Sequence, residues 1–219
     1  MDALRGRWRA DCSAVVAGAA PAVVDDIGSD LLRRWHEPHR RYHDATHLAE
    51  VLAAVDLLCS VDGVNDTDLS VAALASWFHD AVYVVHPSAA NEAESASLAA
   101  RQLCRLGVPP ELTARVAAAV LDTASHELPP GAGDDPARAV VHDADLWVLA
   151  APVARFDEYC AQVREEYPSV PVAAYAAART EVLRPFLVRD HVYRTDHART
   201  EWEPSARENL ARELTRLAS

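Results

Sequence analysis

The sequence predicts an all-α fold in a single domain, and three observations support this prediction. The chain of 219 residues is rich in alanine, leucine and valine but contains only 7 glycines. Alanine and leucine favour helices, and no segment alternates apolar and polar residues clearly, as a half-buried strand would. A chain of this length can also bury a substantial core within one domain.

The expected helices follow from apolar spacing and from breaks at proline and glycine. The clearest helix covers 46–60, where apolar residues recur at i, i+3, i+4 and i+7. His47 lies four residues before Val51, so it is expected on the buried side of this helix. The other expected helices are 4–18, 21–35, one that leads to His79-Asp80, 91–106, 110–123, 137–150, 152–167, 172–187 and 205–217, with a Pro-, Gly- and Asp-rich loop at 128–136.

Capping residues are expected to set two of these boundaries. Asp66 or Thr67 can cap the fourth helix, and Gly107 is well placed to end the fifth. Asn91, with Glu94 three residues later, loosely matches a capping box at the start of that fifth helix.

The charge of the chain argues against two classes of partner. A formal net charge of -12 opposes binding to nucleic-acid polymers and to anionic membranes. A local basic patch can still hold one phosphate, and no stretch reaches the length of a membrane span. We therefore expect neither a nucleic-acid polymer nor a membrane as a partner.

Cysteine usage indicates a reducing compartment. The four cysteines, at 12, 59, 104 and 160, have neither zinc-knuckle spacing nor the density of a small secreted framework, so reduced thiols and a cytoplasmic location are expected. Three arginines before the apolar run at 12–24 superficially resemble a signal peptide. Asp2 and Asp11 interrupt that pattern, and an N-terminal helix is the alternative that we favour.

The dipeptide His79-Asp80 closes a helical segment of small residues. Positions 69, 72, 73, 76, 79 and 80 share one broad face at helical spacing, so an imidazole and a carboxylate reach a helix contact. A buried carboxylate is normally paired or bound to a metal. The dipeptide is therefore either a salt-bridged pair at a helix end or part of a metal site.

Further potential ligands occur in the order His, His-Asp, Asp. Histidine nitrogens and aspartate oxygens suit a divalent ion such as Mn, Mg, Co, Fe, Ni or Zn. Besides His47, the chain offers Asp143 and Asp145 on a later helix. Residues two apart point about 200° apart, so only one of these aspartates can face one ion. Asp145 shares a face with Val141 and Leu149 and is favoured, with Asp143 as the alternative.

This ordered set resembles the HD superfamily of metal-dependent phosphohydrolases, and more closely its branch of predicted HD phosphohydrolases. The similarity runs from about residue 38 to 213. Its blocks are 41–43 with His47, 77–83, 91–92 with 95–96, 143–146 and 203–210. The resemblance implies one HD-type domain over 1–219, with N-terminal helices at 1–37, a metal-site core at 38–150 and C-terminal helices at 151–219.

The resemblance also implies roles for individual residues. His47, His79 and Asp80 would bind one divalent metal ion together with the last aspartate. The implied activity is hydrolysis of a phosphate ester or anhydride bond in a small, nucleotide-like substrate. Asp80 or Glu92 would act as the general base on a metal-activated water. The alternative for Glu92 is a first-turn carboxylate that the helix dipole favours.

Phosphate is held by cations, and the planar fork of arginine suits it. The first candidates for substrate binding are Arg40 and Arg41 with His43, and the next are Arg179, Arg189 and Arg194, each of which can instead be a solvated surface residue. His126 lies where some members of the superfamily place ligands for a second metal. The remaining histidines, expected mostly at the surface, are His36, His39, His86, His142, His191 and His197.

Two other functions stay open on the same scaffold. One is a di-iron oxygenase, which in the superfamily carries two further histidines between the His-Asp pair and the last aspartate. The other is a non-catalytic module that binds metal or nucleotide. The closing helix at 205–217 can pack on its own domain or on a second copy, so a homodimer is a further candidate assembly.

Overall fold

The computed structural model of the protein describes residues 2–85, 90–127 and 135–219. Within these ranges the chain is helical and contains no strand, which confirms the all-α prediction. The ten α-helices described are α1 (Asp2–Val15), α2 (Pro21–Trp35), α3 (Ala45–Val61), α4 (Asp66–Phe78), α5 (Asn91–Leu106), α6 (Pro110–Asp122), α7 (Pro136–Asp145), α8 (Val153–Glu166), α9 (Val172–Val188) and α10 (Glu203–Leu217). A 3₁₀ helix (Leu146–Ala150) follows α7, and a π-helix (Ala198–Trp202) precedes α10.

Helix α4 lies at the centre of the fold, in contact with α1, α3, α5, α6 and α7. All of its residues from Val71 to Phe78 are buried, because small side chains let these neighbours approach closely. From α1, the Trp8 ring packs edge-on against Trp77 and Phe78, at centroid distances of 5.4 and 6.1 Å. The N-terminal segment is therefore a helix that packs into the core, and α4 delivers His79 from a rigid position.

The N-terminal caps of α4 and α5 differ from the predicted ones. Asn65, one residue before the predicted candidates, caps α4 by accepting a hydrogen bond from the Asp68 N–H at 3.0 Å. The predicted capping box of α5 is wrong, because Ala90 occupies the N-cap position and makes no side-chain cap. The Asn91 amide instead accepts from the Val84 N–H and donates to the Val84 carbonyl, both at 3.0 Å.

The single helix predicted over 137–150 is an α-helix followed by a 3₁₀ turn. Buried side chains from elsewhere in the chain bond to the carbonyls of this turn: Tyr193 donates to Leu146 at 3.1 Å, and Asn209 donates to Leu149 and Ala151 at 2.9 Å. These tertiary bonds satisfy the carbonyls that an ending helix leaves without partners. Such contacts have no local signal in the sequence.

Three smaller expectations concern termini, loops and thiols. Gly107 ends α5 in the left-handed conformation, with φ at 81°, as predicted. Most of the loop predicted at 128–136, and His86, lie outside the described residues. Among the described helices, none has the length and apolar character needed to cross a bilayer. All four cysteines are unpaired, and Cys104 is the exposed one.

Candidate metal centre

Two histidines face each other at the centre of the candidate site. His47 comes from the first turn of α3, and His79 is the residue that follows α4. Their Nε2 atoms lie 3.1 Å apart, and both side chains are almost fully buried. The His79 Nδ1 lies 2.8 Å from the Ser76 carbonyl, which can only accept, so this nitrogen is the donor. A neutral His79 therefore turns the lone pair of its Nε2 towards the site.

Two carboxylates complete the cluster. The Asp80 Oδ2 lies 3.3 Å from the His79 Nε2 and 3.9 Å from the His47 Nε2. The Asp145 Oδ1, at the end of α7, lies 3.1 Å from the His47 Nε2 and 3.5 Å from the His79 Nε2. One ligand atom from each of His47, His79 and Asp80 lies within 4.8 Å of the others, so these three could hold a metal ion.

The charges of the cluster depend strongly on one another. Burial alone would raise the pKa of the Asp80 carboxyl, but the nearby imidazoles, His79 first, lower it below its usual range. The pKa of Asp145 is lowered against burial in the same way, again mainly by His79. Burial alone would lower the pKa of His79, but Asp80 and Asp145 raise it to about 9. A divalent cation would compete with this proton for the Nε2 lone pair.

Asp143, the alternative last ligand, points away from the histidine cluster. It is fully buried and accepts hydrogen bonds from the Arg194 N–H at 2.9 Å and the Thr195 N–H at 2.7 Å. Its Oδ1 also lies 2.7 Å from the Nδ1 of His142. The geometry thus favours Asp145 as the ligand, and Asp143 holds the segment before α10. His142 is buried, so the expectation that it lies at the surface is wrong.

A cavity of about 520 Å³ opens onto the cluster. Asp80 and Asp145 line it, so the carboxylates are accessible from the cavity. His43 and Glu92, which were predicted to contact substrate and to act as a base, line it as well. Its volume falls in the range of small-molecule sites, which is about 300–1,000 Å³. The remaining wall is largely apolar and aromatic, and α9 supplies much of it.

His43 is held in place by a buried glutamate that the sequence analysis missed. Glu166 accepts from the backbone N–H groups of residues 41, 42 and 43, from the Tyr83 hydroxyl at 2.7 Å, and from the His43 Nδ1 at 2.7 Å. Although burial alone would raise it, these donors, His43 first, lower the pKa of Glu166 to about 2. The glutamate thereby fixes both the loop before α3 and the orientation of the His43 ring.

Arg40 and Arg41 do not line the cavity. Arg40 is buried and donates to the Asp80 carbonyl at 2.8 Å, to the His43 carbonyl at 2.9 Å and to Glu37 at 3.1 Å. Arg41 is exposed and bonds to backbone carbonyls of its own loop. Arg40 therefore ties the His79-Asp80 turn to the loop before α3. The substrate contact predicted for these two arginines remains a prediction that this geometry does not favour.

His126 lies in the cavity wall beside Asp145. Its backbone adopts the left-handed conformation, with φ at 50°, which is uncommon for residues that carry a side chain. Arg189 donates to its carbonyl at 2.9 Å, and the His142 ring lies 3.2 Å from the same oxygen. Burial lowers the pKa of His126 to about 4. Its Nε2 lies 3.8 Å from the Asp145 Oδ2, so its predicted role as a ligand for a second metal stays a prediction.

The cavity wall also contains residues that sequence reasoning did not assign, together with Arg179, which the sequence analysis named as a further candidate for phosphate binding. On α8, Tyr159 and Val163 recur at helical spacing, followed by Tyr167 just after the helix, and on α9 the stripe is Tyr175, Arg179, Leu183 and Phe186. Such stripes are the sequence signal that could have found the wall. Glu166 had no such signal, because it follows Glu165 and resembles one half of a solvated pair.

Comparison with known proteins adds no family assignment. The chain has no match among protein-family models, curated proteins or solved structures. Membership of the HD superfamily therefore stays a prediction from the ordered motifs. The functional argument rests on the side-chain geometry described above.

Proposed function

We propose that this protein is a metal-dependent phosphohydrolase of the HD type, which cleaves a phosphate ester or anhydride bond in a small, nucleotide-like molecule. The observation that supports this most is the convergence of two imidazoles and two carboxylates on a cavity of about 520 Å³. A buried cluster of this kind is costly unless its charges are compensated. A divalent cation would compensate both carboxylates at once.

The residues that would hold the ion are His47, His79, Asp80 and Asp145. This donor set suits hard or borderline divalent ions. The Nδ1–H of His79 is already committed to the Ser76 carbonyl, which leaves its Nε2 available as a ligand. Asp80 and Asp145 border the cavity, so substrate and water can approach the same place.

When bound, a divalent cation polarises a phosphoryl oxygen and lowers the pKa of a coordinated water. The chain must then supply a base for the water and groups that hold the phosphate. Asp80 and Glu92 both line the cavity and are the two candidate bases. His43 is the candidate phosphate contact, since Glu166 holds its Nδ1 at 2.7 Å and keeps the ring at the cavity wall.

A variant of Glu92 separates the two candidate bases. Glu92 is not a proposed ligand, so Glu92→Gln is expected to retain the metal. If Glu92 is the base, kcat falls by about 10²- to 10⁴-fold, and if Asp80 is the base, kcat changes little. The measurement is steady-state hydrolysis together with metal content of the same preparation, which shows that any loss of rate is not a loss of metal.

The activity test uses metal-stripped protein reloaded with Mn²⁺ or Co²⁺. Release of inorganic phosphate or pyrophosphate is measured with p-nitrophenyl phosphate and with nucleoside mono-, di- and triphosphates. The wild type and the control His191→Ala, an exposed histidine, should turn over at least one substrate, and His79→Ala should turn over none. A loaded wild type that binds nucleotides without hydrolysis would indicate the non-catalytic module, and two bound irons with oxygen consumption would indicate the oxygenase.

A further inference from the structure

Buried polar atoms without partners are concentrated in the cavity. Four such side-chain atoms occur in the part of the chain that the structure describes. Three of them belong to residues that line the cavity, namely the Tyr42 hydroxyl, the His126 Nδ1 and the Arg179 Nε. Buried polar groups in proteins nearly always have a partner. Three residues of the cavity wall therefore carry polar groups whose hydrogen bonds the described part of the chain does not complete.

Arg179 differs from the other cavity-lining groups because it carries a positive charge that no described carboxylate pairs. Its guanidinium lies over the Tyr159 ring at 5.1 Å and donates to the Tyr159 hydroxyl. Burial raises the pKa of Tyr159, so this partner is a neutral phenol and leaves the charge uncompensated. The chain has more carboxylates than basic side chains, with a formal net charge of -12, yet none of the described carboxylates pairs with Arg179.

Arg155 provides an internal comparison. Its guanidinium lies 5.7 Å from the Tyr42 ring, and it donates to both carboxylate oxygens of Glu50, at 2.6 and 2.8 Å. The bidentate pair satisfies that arginine within the protein. Arg179 stacks on a tyrosine in the same manner, but no described carboxylate pairs with it and its side chain borders the cavity. Arg179 thus brings a positive charge to the cavity without the acidic partner that Arg155 has in Glu50.

The arginine and the metal centre belong to one continuous wall. The Tyr42 ring contacts the His47 ring at 4.6 Å and the Tyr159 ring at 4.5 Å, and Arg179 lies on Tyr159. Tyr42, Tyr159 and Arg179 all line the cavity that Asp80 and Asp145 border. A ligand in this cavity therefore meets carboxylates and imidazoles in one region, aromatic rings next to them, and a guanidinium beyond these rings.

We propose that Arg179 forms a second anion subsite, so that the cavity takes a molecule with an oxyanion for the metal centre, an aromatic or apolar body and a second oxyanion for Arg179. This inference rests on the proposed function, which it deepens by assigning the substrate to the class of molecules with two anionic groups. A nucleotide with two separate phosphate groups, or with a phosphate and a carboxylate, belongs to this class. Arg179 is then a residue that determines specificity, and it takes no part in bond cleavage.

The subsite is tested first in metal-free protein with inorganic phosphate, by calorimetric titration. In the metal-free centre the carboxylates of Asp80 and Asp145 outnumber the protonated His79 beside them and disfavour a further anion, so the expected site is Arg179. Arg179→Met should weaken binding by about tenfold or more, and Arg179→Lys should retain part of it. Arg184→Met is the matched control, because it removes the same charge from an exposed position on the same helix, and it should bind phosphate as the wild type does. Circular dichroism checks that each variant is folded.

Two further titrations test which kind of oxyanion the subsite binds and whether it is separate from the metal centre. Acetate in place of phosphate shows whether the subsite prefers a phosphate or a carboxylate. In Mn²⁺-loaded protein two phosphates should bind, of which Arg179→Met loses one and His79→Ala the other. Phosphate binding that Arg179→Met leaves unchanged, or that Arg184→Met weakens equally, overturns the subsite. An inactive protein whose metal-free form still binds phosphate through Arg179 would overturn the hydrolase and leave the subsite.

Discussion

Asp143 and Asp145 are two residues apart on α7, and they lie in opposite environments. Asp143 accepts hydrogen bonds from the backbone N–H groups of residues 194 and 195, and its Oδ1 also meets the His142 ring. Asp145 meets no backbone N–H of the described residues and instead lies against His47 and His79, with access to a cavity. One carboxylate is held by backbone N–H groups, and the other meets imidazoles and borders the cavity.

The same contrast recurs across the molecule. Glu166 and Glu203 resemble Asp143, because each accepts from consecutive backbone N–H groups, at residues 41–43 and 192–193 respectively. Asp80 resembles Asp145, because its neighbours are imidazoles. Asp143, Glu166 and Glu203 are thus held by backbone donors, whereas Asp80 and Asp145 meet imidazoles at the edge of the cavity.

The largest loss of unfolding free energy is expected from a substitution at Asp143. Asp143→Ala leaves the N–H groups of Arg194 and Thr195 and the His142 ring without their acceptor in a fully buried position. Removing one partner from such a network costs about 3–5 kcal/mol. Urea unfolding should show a loss of this size. A loss below about 1 kcal/mol, the level of ordinary surface substitutions, would contradict the structural role.

The next largest loss of stability is expected at Glu166, and its dependence on pH tests the role of the carboxylate. The pKa of Glu166 falls from 4.5 to about 2 on folding, so its ionised form stabilises the native state. Its contribution, on the order of 3 kcal/mol, is complete above about pH 4.5 and is lost as the pH falls towards about 2. Glu166→Gln should therefore be destabilised at neutral pH.

The difference in unfolding free energy between the wild type and Glu166→Gln is the quantity to follow with pH. It should shrink as the pH falls through the window from about 4.5 to about 2, because the wild-type carboxylate is protonated there. The matched control is Glu165→Gln, since Glu165 is the exposed neighbour of Glu166 on α8. That variant should have the stability of the wild type throughout, and a constant difference for Glu166→Gln would refute the account.

The smallest effect on stability is expected at Asp145. Asp145→Asn keeps a polar side chain beside His47 and His79 and leaves no backbone N–H of the described residues without its acceptor, so the metal-free protein should lose less stability than either variant above. Its metal affinity should fall strongly, by about 100-fold or more, because a ligand in direct contact with the ion matters more than a supporting residue. Calorimetric unfolding and Mn²⁺ titration of the same preparation measure both quantities. A large loss of stability in the metal-free state would place Asp145 with the fold-holding carboxylates.

The helices could be predicted from the sequence because they depend on local spacing, whereas the grouping of His47 with His79-Asp80 and a later aspartate was an expectation from the resemblance to the HD superfamily. Helix geometry alone showed that Asp143 and Asp145 cannot face one ion, and their surroundings agree with the favoured choice. Arg40 shows the limit of such reasoning. The position of Arg40 beside His43 in the sequence suggested a phosphate contact. Its guanidinium instead donates to the carbonyls of Asp80 and of His43.

Glu166 and the cavity wall could not be predicted in the same way. Glu166 and His43 are 123 positions apart in the sequence, and no local sequence pattern at either residue predicts their contact. The partners of Asp143 at 194 and 195 lie in a segment without helical periodicity. Pairings of this kind arise only when distant helices pack, so they belong to tertiary structure and leave no periodic signal.

The measurement that tests the central claim most directly is the metal content of protein purified without chelator and then dialysed against Mn²⁺. The wild type and His191→Ala should each hold about one divalent ion per chain, as a single cluster of four ligands implies. His79→Ala and Asp145→Asn should be folded and hold none. Equal metal in all four proteins, or none in the wild type, would show that these residues form only a structural cluster of paired charges.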